Sequence, residues 1–433
     1  MSVFSKGHLL LLGIAALLVG IIALVVSRPE PPKPTKAPPA RPSLSLLAAP
    51  PDWNLLRAYQ GTITREEFER LLTTVFTTGN AWRTCVEIDN AGARIKTGNS
   101  PTDPVLHLRF ANAGLTVTSP RHWRTATELP PTTPDKPLAG LKIAIDPGHI
   151  GGAWAKMEER WFLVGDGTPV CEGDMTLLVA NLLKPKLEAL GATVSLVRDK
   201  PEPVTRVRPE DLLTLARESS SPDDPPAKIQ RSAERLFYRT AEIRARADLV
   251  NLTLKPDLVL CLHFNAESWG DPNQPILIDR THLHLLLNGA YNDEEVLLAD
   301  QRFALLQKLL QRTHDEELLV GTSVADAFAE ISGLPPYLYP PESTSVRPLA
   351  GHPYLWARNL LANRLYNCPV IFMEPYVMNS TLDYARIQAG DYDGFREIGG
   401  KMRPSIFREY ADALTAGLTR HYSAARSAGT NNR

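Results

Sequence analysis

The chain has 433 residues, 43% of them hydrophobic and 22% charged, with a formal net charge of −1. That length supports more than one domain and a large buried core, while the near-zero charge excludes the broad basic field by which a protein holds nucleic acid. Four cysteines (Cys85, Cys171, Cys261, Cys368) are widely spaced and form no CxxC pair. A cysteine-rich structural zinc site is therefore excluded, and one or two disulfides stay open.

At the amino terminus Lys6 precedes an apolar run from Leu9 to Val26, which Arg28 closes. Eighteen apolar residues sit at the lower limit for spanning a bilayer and exceed the usual signal-peptide core. Residues 1–28 are read as an uncleaved anchor, with a cleaved signal as the rival reading. Either way the rest of the chain is expected to be exported to the cell envelope, anchored at the inner membrane with its catalytic part in the periplasm, or secreted. Residues 29–51 form a proline-rich linker. Its segment Pro29 to Ser43 has polyproline II composition and reaches roughly 45 Å at ~3.1 Å per residue.

A small α+β module is expected over 52–125. Thr64-Arg-Glu-Glu67 is a capping-box pattern, and Phe68, Leu71, Leu72, Val75 and Phe76 follow at helical spacing. Trp82 to Ile88 and Val105 to Phe110 alternate as half-buried strands. No chemical constellation stands in this module. A second linker, 126–137, leads into the main domain, 138–425.

There, strands are predicted at 141–146, 193–197, 258–263, 282–287 and 370–374. Helices are predicted at 173–190, 228–250, 294–314 and 404–421, with a kink at Pro185. The alternation implies an α/β fold, a mostly parallel sheet flanked by helices. Pro201 to Gln230 is long for a connection, read either as a lid over a groove or as a disordered insertion. Residues 426–433 are expected to be an unstructured tail.

Three of the strands end on residues with chemistry. Leu141-Lys-Ile-Ala-Ile-Asp-Pro-Gly-His149 stops at a Gly-rich turn that bears an imidazole. Asp257-Leu-Val-Leu-Cys-Leu-His263 ends on a second imidazole, and Pro369-Val-Ile-Phe-Met-Glu374 on a carboxylate. Glu172 stands where a polar loop gives way to a helix. Carboxyl ends of parallel neighbours converge on one crevice. Two imidazoles and a carboxylate suffice to hold zinc with one position open, and a further free carboxylate can take a proton from water.

Taken singly, the residues have plainer readings. His149 reads equally well as a turn histidine, His263 as a core imidazole and Glu172 as a helix-start carboxylate favoured by the dipole. Glu374, directly after Val-Ile-Phe-Met, must be paired, metal-bound or protonated if buried. His282 and His284 share a strand face and form a candidate second metal pair; a strand with one face in solvent accounts for them more simply. Arg246 and Asn251 read as helix-packing residues, and Cys261 as core.

The segments IAIDPGHIGG, CEGDMTLLVANLL, TVSLVRD, DLVLCLHFNA and VIFMEPYVMNS resemble, in order, the signatures of the zinc-dependent N-acetylmuramoyl-L-alanine amidases. The resemblance covers about Leu138 to Tyr422. It implies a mostly parallel sheet flanked by helices and hydrolysis of the amide joining the lactyl group of N-acetylmuramic acid to L-alanine in peptidoglycan. It further implies His149, Glu172 and His263 as ligands of a Zn2+ cofactor and Glu374 as the catalytic carboxylate. Two departures stand out. Cys261 replaces a common serine, and Glu374-Pro-Tyr-Val replaces a Glu-x-Gly-Phe pattern. Expected partners are peptidoglycan, the membrane through the N-terminal segment and a regulatory protein, but no nucleic acid. A zinc peptidase cutting within the stem peptide and a non-catalytic wall-binding scaffold are the alternatives.

Overall fold

The structure, a computed structural model, describes residues 43–112 and 118–428. The expected anchor, most of the proline-rich linker and the last residues of the tail lie outside the described residues. Among the described residues no helix is long and apolar enough to cross a membrane.

The small module folds around helix α1 (Arg65–Leu71), which Thr64 caps by accepting from the Glu67 N–H at 3.2 Å. Three antiparallel strands follow: β1 (Val86–Ile88), β2 (Gly92–Lys96) and β3 (Val105–Arg109). Sequence reasoning missed β2, and residues Ala81–Thr84 are a 3-10 turn where a strand was expected. The apolar face of the module packs on Tyr291, Val296, Leu305 and Leu309, so its core is completed by the main domain.

The main sheet has seven strands: β4 (Lys142–Pro147), β5 (Thr193–Leu196), β6 (Leu258–Leu262), β7 (Leu283–Leu287), β8 (Val346–Pro348), β9 (Leu355–Arg358) and β10 (Val370–Pro375). Their spatial order is β8-β9-β7-β10-β6-β4-β5. Strands β10, β6, β4 and β5 are mutually parallel, as expected. Strand β7 runs antiparallel to β10, β9 runs with β7, and β8 opposes β9, so the sheet is mixed.

Both faces are covered, which is why β6 reads as an unbroken apolar run and β7 as one interrupted only by His284. Ile143, Leu260, Leu285 and Ile371 enter one core, shared with helices α2 (Glu172–Ala189), α5 (Thr313–Ser332) and α6 (Ile406–Ala428). Ala144, Val259, Leu286 and Phe372 point the other way, toward α3 (226–254). Helix α2 passes through Pro185. In α3, α-turns at Pro226–Leu236 and Glu242–Asp248 alternate with π turns at Phe237–Ala241 and Leu249–Leu254.

The predicted helix 294–314 is in fact broken. A short turn (Asp293–Leu297) precedes α4 (Ala299–Gln311), Arg312 turns left-handed, and α5 begins. Residues 201–230 are neither disordered nor a cover on the cavity described below. They hold a 3-10 turn (Pro209–Leu212), a short helix (Leu213–Glu218) and the start of α3, and Leu212 and Ala216 pack with Ile150, Ala233 and Phe237. In the expected linker, Ala126 and Leu129 enter the main core. The start of the expected tail is helical too: Arg426 donates to the carbonyls of Pro137 (2.8 Å) and Ala139 (3.0 Å). All four cysteines are free.

Candidate metal centre

The turn after β4 carries the first imidazole. Gly148 donates to the Leu262 carbonyl at 2.8 Å, tying the ends of β4 and β6 together. A side-chain carbon on Gly148 would collide with the His263 ring, so only glycine fits. His149 itself has φ 61°, a left-handed conformation that costs a β-carbon-bearing residue roughly 1–3 kcal/mol.

A buried arginine holds the turn in that shape. Arg246 donates to Asp146 Oδ1 (2.8 Å), to the Pro147 carbonyl (2.8 Å) and to the His149 carbonyl (2.7 Å). Glu242 accepts its Nε at 2.7 Å, and Tyr366 donates to Asp146 Oδ2 at 2.5 Å. Arg246 is thus more than the helix-packing residue its place on α3 suggests. Asn251 does serve packing, bridging the Leu365 carbonyl and the Asn367 N–H. Cys261 is core, with Sγ 4.0 Å from Asp146.

Register brings the expected quartet to one edge. Asp146 lies beside Cys261 and Met373 beside Leu262, so the residues that follow, His149, His263 and Glu374, are neighbours. Glu172 opens α2 and is buried. His149 Nε2 lies 3.3 Å from Glu172 Oε2, and His263 Nδ1 lies 3.3 Å from Glu172 Oε1. One donor atom from each of the three falls within 4.8 Å of the others. His263 stacks on Phe372 at 4.3 Å, and its carbonyl accepts from Tyr410 at 3.2 Å.

Two residues that sequence reasoning missed set the state of these groups. Glu158 accepts the Ile150 N–H at 2.6 Å and meets His149 Nδ1 at 2.8 Å. Nδ1 is then the donating nitrogen, and Nε2 presents a lone pair to Glu172. Two acceptors 3.3 Å apart call for a cation between them. Arg160 partly answers this, with Nε 3.4 Å from both atoms. It is brought there by the ribbon Trp161–Phe162/Val170–Cys171, which sets it beside Glu172. The two nitrogens and one oxygen fit zinc, whose sites take histidine and carboxylate ligands.

Burial holds His149 well below the usual histidine range, as a neutral ligand requires. For His263 burial acts the same way, but the hydrogen bond to Glu172 and the charge of Glu374 outweigh it and raise the ring. Glu172 is held low despite burial, by His149, His263 and Arg160. Burial pushes Glu374 up to about 7, with Glu172 adding to the rise and His263 opposing it. Glu374 belongs to no ligand group and lines a cavity of about 250 Å³ together with His149, Glu172 and Arg160.

His282 and His284 are elsewhere on this wall and do not join the trio. Both are buried, contrary to the expected solvent-facing strand, because Tyr337 lies on them at 4.5 and 4.9 Å. After Glu374, Tyr376 is left-handed (φ 60°). It stands where the Glu-x-Gly-Phe pattern has glycine, which adopts that conformation freely. Here burial of the ring and a 2.9 Å hydrogen bond to Glu409 hold the tyrosine in place.

No protein-family model matches the chain, and no curated protein does. Among solved structures it is similar to an N-acetylmuramyl-L-alanine amidase from Mycobacterium smegmatis, at 17% identity and a TM-score of 0.36 over 66% of this chain and 99% of that one. It is similar to the CwlD amidase from Clostridioides difficile, solved with the GerS lipoprotein (11%, TM-score 0.35, 66% and 100%). A third is an N-acetylmuramoyl-L-alanine amidase from Nostoc punctiforme (15%, TM-score 0.32, 66% and 99%). Likeness at this level does not carry a function, which has to come from the residues of the site.

Proposed function

We propose that the chain is a zinc-dependent amidase that cleaves peptidoglycan between the lactyl group of N-acetylmuramic acid and L-alanine. One observation carries the metal-dependent chemistry: His149 Nε2 and the Glu172 carboxylate face each other as acceptors, His263 completes the trio, and Glu374 stands free beside it. The choice of the lactyl–alanine amide rests on the resemblance of the strand-end segments from Leu138 onward. The N-terminal apolar run supports action in the cell envelope, where that substrate is found.

His149, Glu172 and His263 would hold the ion. Zinc bound there supplies Lewis acidity, polarising an amide carbonyl and acidifying water. Glu158 keeps His149 in the tautomer that offers Nε2. Glu374 takes a proton from the attacking water on a carboxylate oxygen and passes it to the departing amine nitrogen as the C–N bond breaks. A pKa near neutrality suits a group that both accepts and returns a proton.

The test is product mass analysis after incubating the full chain, loaded with zinc, with purified sacculi. The expected products are intact stem peptides beginning with L-alanine and glycan carrying a free lactyl carboxyl. Peptides cut internally would replace this reading with a peptidase, and binding without release would replace it with a scaffold.

A further inference from the structure

We propose that Arg358, backed by Tyr339 and His284, is the subsite for a carboxylate on the peptide half of the substrate. The inference rests on the amidase reading and adds which substrates the site prefers. Part of its wall comes from the segment 334–345, between α5 and β8.

That segment lays Tyr337 and Tyr339 along β7. Tyr339 OH lies 3.2 Å from His284 Nε2, with the two rings edge to face at 5.5 Å. Arg358 Nη1 donates to the same hydroxyl at 3.4 Å, and its guanidinium lies 6.0 Å from the Tyr339 ring centre. Trp356 packs against the other side of Tyr339 at 5.0 Å. His284, Tyr337, Tyr339 and Arg358 all line the cavity that His149 and Glu374 share.

Among the described residues Arg358 makes no ion pair, and of the other charged groups on that cavity only Glu374 shares this. Arg160 lies against Glu172, and Glu267 is paired with Arg280 at 2.6 Å. Among the described residues no carboxylate comes within 4.0 Å of Arg358, although it is half-buried. His284 Nδ1 is likewise buried with no hydrogen-bond partner. A half-buried guanidinium with a free face suits a planar, two-oxygen anion, which it grips through two parallel N–H bonds. A peptide cleaved next to Glu374 brings such a group on the residues beyond the broken amide. Tyr339, itself packed by Tyr337 and Trp356, holds the guanidinium so that little side-chain freedom is lost on binding.

Two muramoyl peptides test this, identical except that one carries a free carboxylate on its second amino acid and the other a carboxamide. With the zinc-loaded full chain, KM for the carboxylate is expected to be roughly ten- to a hundredfold lower, the range for a hydrogen bond to a charged group, with kcat little changed. Arg358→Ala should raise KM for the carboxylate alone, and Arg358→Lys, which keeps the charge without the fork, should fall between. Equal KM values in the unmodified chain would overturn the subsite without touching the amidase reading, and need no variant to fold. An equal loss on both peptides in Arg358→Ala would also overturn it. If the unmodified chain cleaves neither at the lactyl amide, the amidase reading itself has failed, and the subsite with it.

Discussion

Two pairs of histidines stand on one sheet, and they live under different rules. His149 and His263 each face a carboxylate: Glu158 and Glu172 for the first, Glu172 for the second. His282 and His284 are more deeply buried, yet both ring nitrogens of His282 and Nδ1 of His284 make no hydrogen bond, the nearest carboxylate, Glu267, lying 3.7 Å from His282 Nε2. Burial drives the second pair far down, to about 4 and about 3, so they are neutral rings in an aromatic wall. A buried imidazole becomes a ligand through what fixes its tautomer and what it is aimed at, and residue type alone decides neither.

The comparison breaks most sharply at Glu374, the free carboxylate beside the partnered pair. Glu374→Gln should lower turnover by about 10²–10⁴-fold while zinc content stays unchanged, checked by kinetics and metal analysis on the same sample. Turnover close to that of the parent chain would remove its proton-transfer role.

Next in size is Arg246, which clamps the turn under His149 through Asp146 and two carbonyls. Arg246→Ala leaves Asp146 and Glu242 buried without their cation and should cost roughly 3–5 kcal/mol in denaturant unfolding. A loss below about 1 kcal/mol would mean the turn holds its shape unaided. Glu158→Gln should weaken zinc binding by about 10–100-fold, measured by competition with a chelator, because one neutral amide oxygen cannot accept from both His149 Nδ1 and the Ile150 N–H. Unaltered affinity would leave His149 Nδ1 without a functional partner.

His282→Phe has the smallest expected effect. Replacing a buried ring that makes no hydrogen bond by an apolar one of similar shape should shift stability by less than about 1.5 kcal/mol. A cost above about 3 kcal/mol would show that the 3.7 Å approach of Glu267 to His282 is a strong interaction, and the contrast between the pairs would blur.

Much of this site was legible because β4, β6 and β10 are buried on both faces. Each therefore reads as a continuous apolar run that stops abruptly, leaving His149, His263 and Glu374 at the break. Glu158 and Arg160 were not legible. They sit in a loop fixed by a two-residue ribbon, and no periodicity announces so short a pairing. The direction of β7 is equally silent, since an apolar run has the same pattern whichever way it points. Helix α5 was hidden by its start: Arg312 breaks the helical path, and His314, Asp315, Glu316 and Glu317 look like a polar end, although all but Asp315 are buried. The small β2 has only Ala93 and Ile95 to show alternation, too little for a strand to be read.

The most direct measurement is zinc per chain in the purified full-length protein and in His149→Ala, side by side at neutral pH. One ion per chain in the first and a small fraction of that in the second is the expected result. The same zinc content in both would mean that His149, Glu172 and His263 do not share an ion.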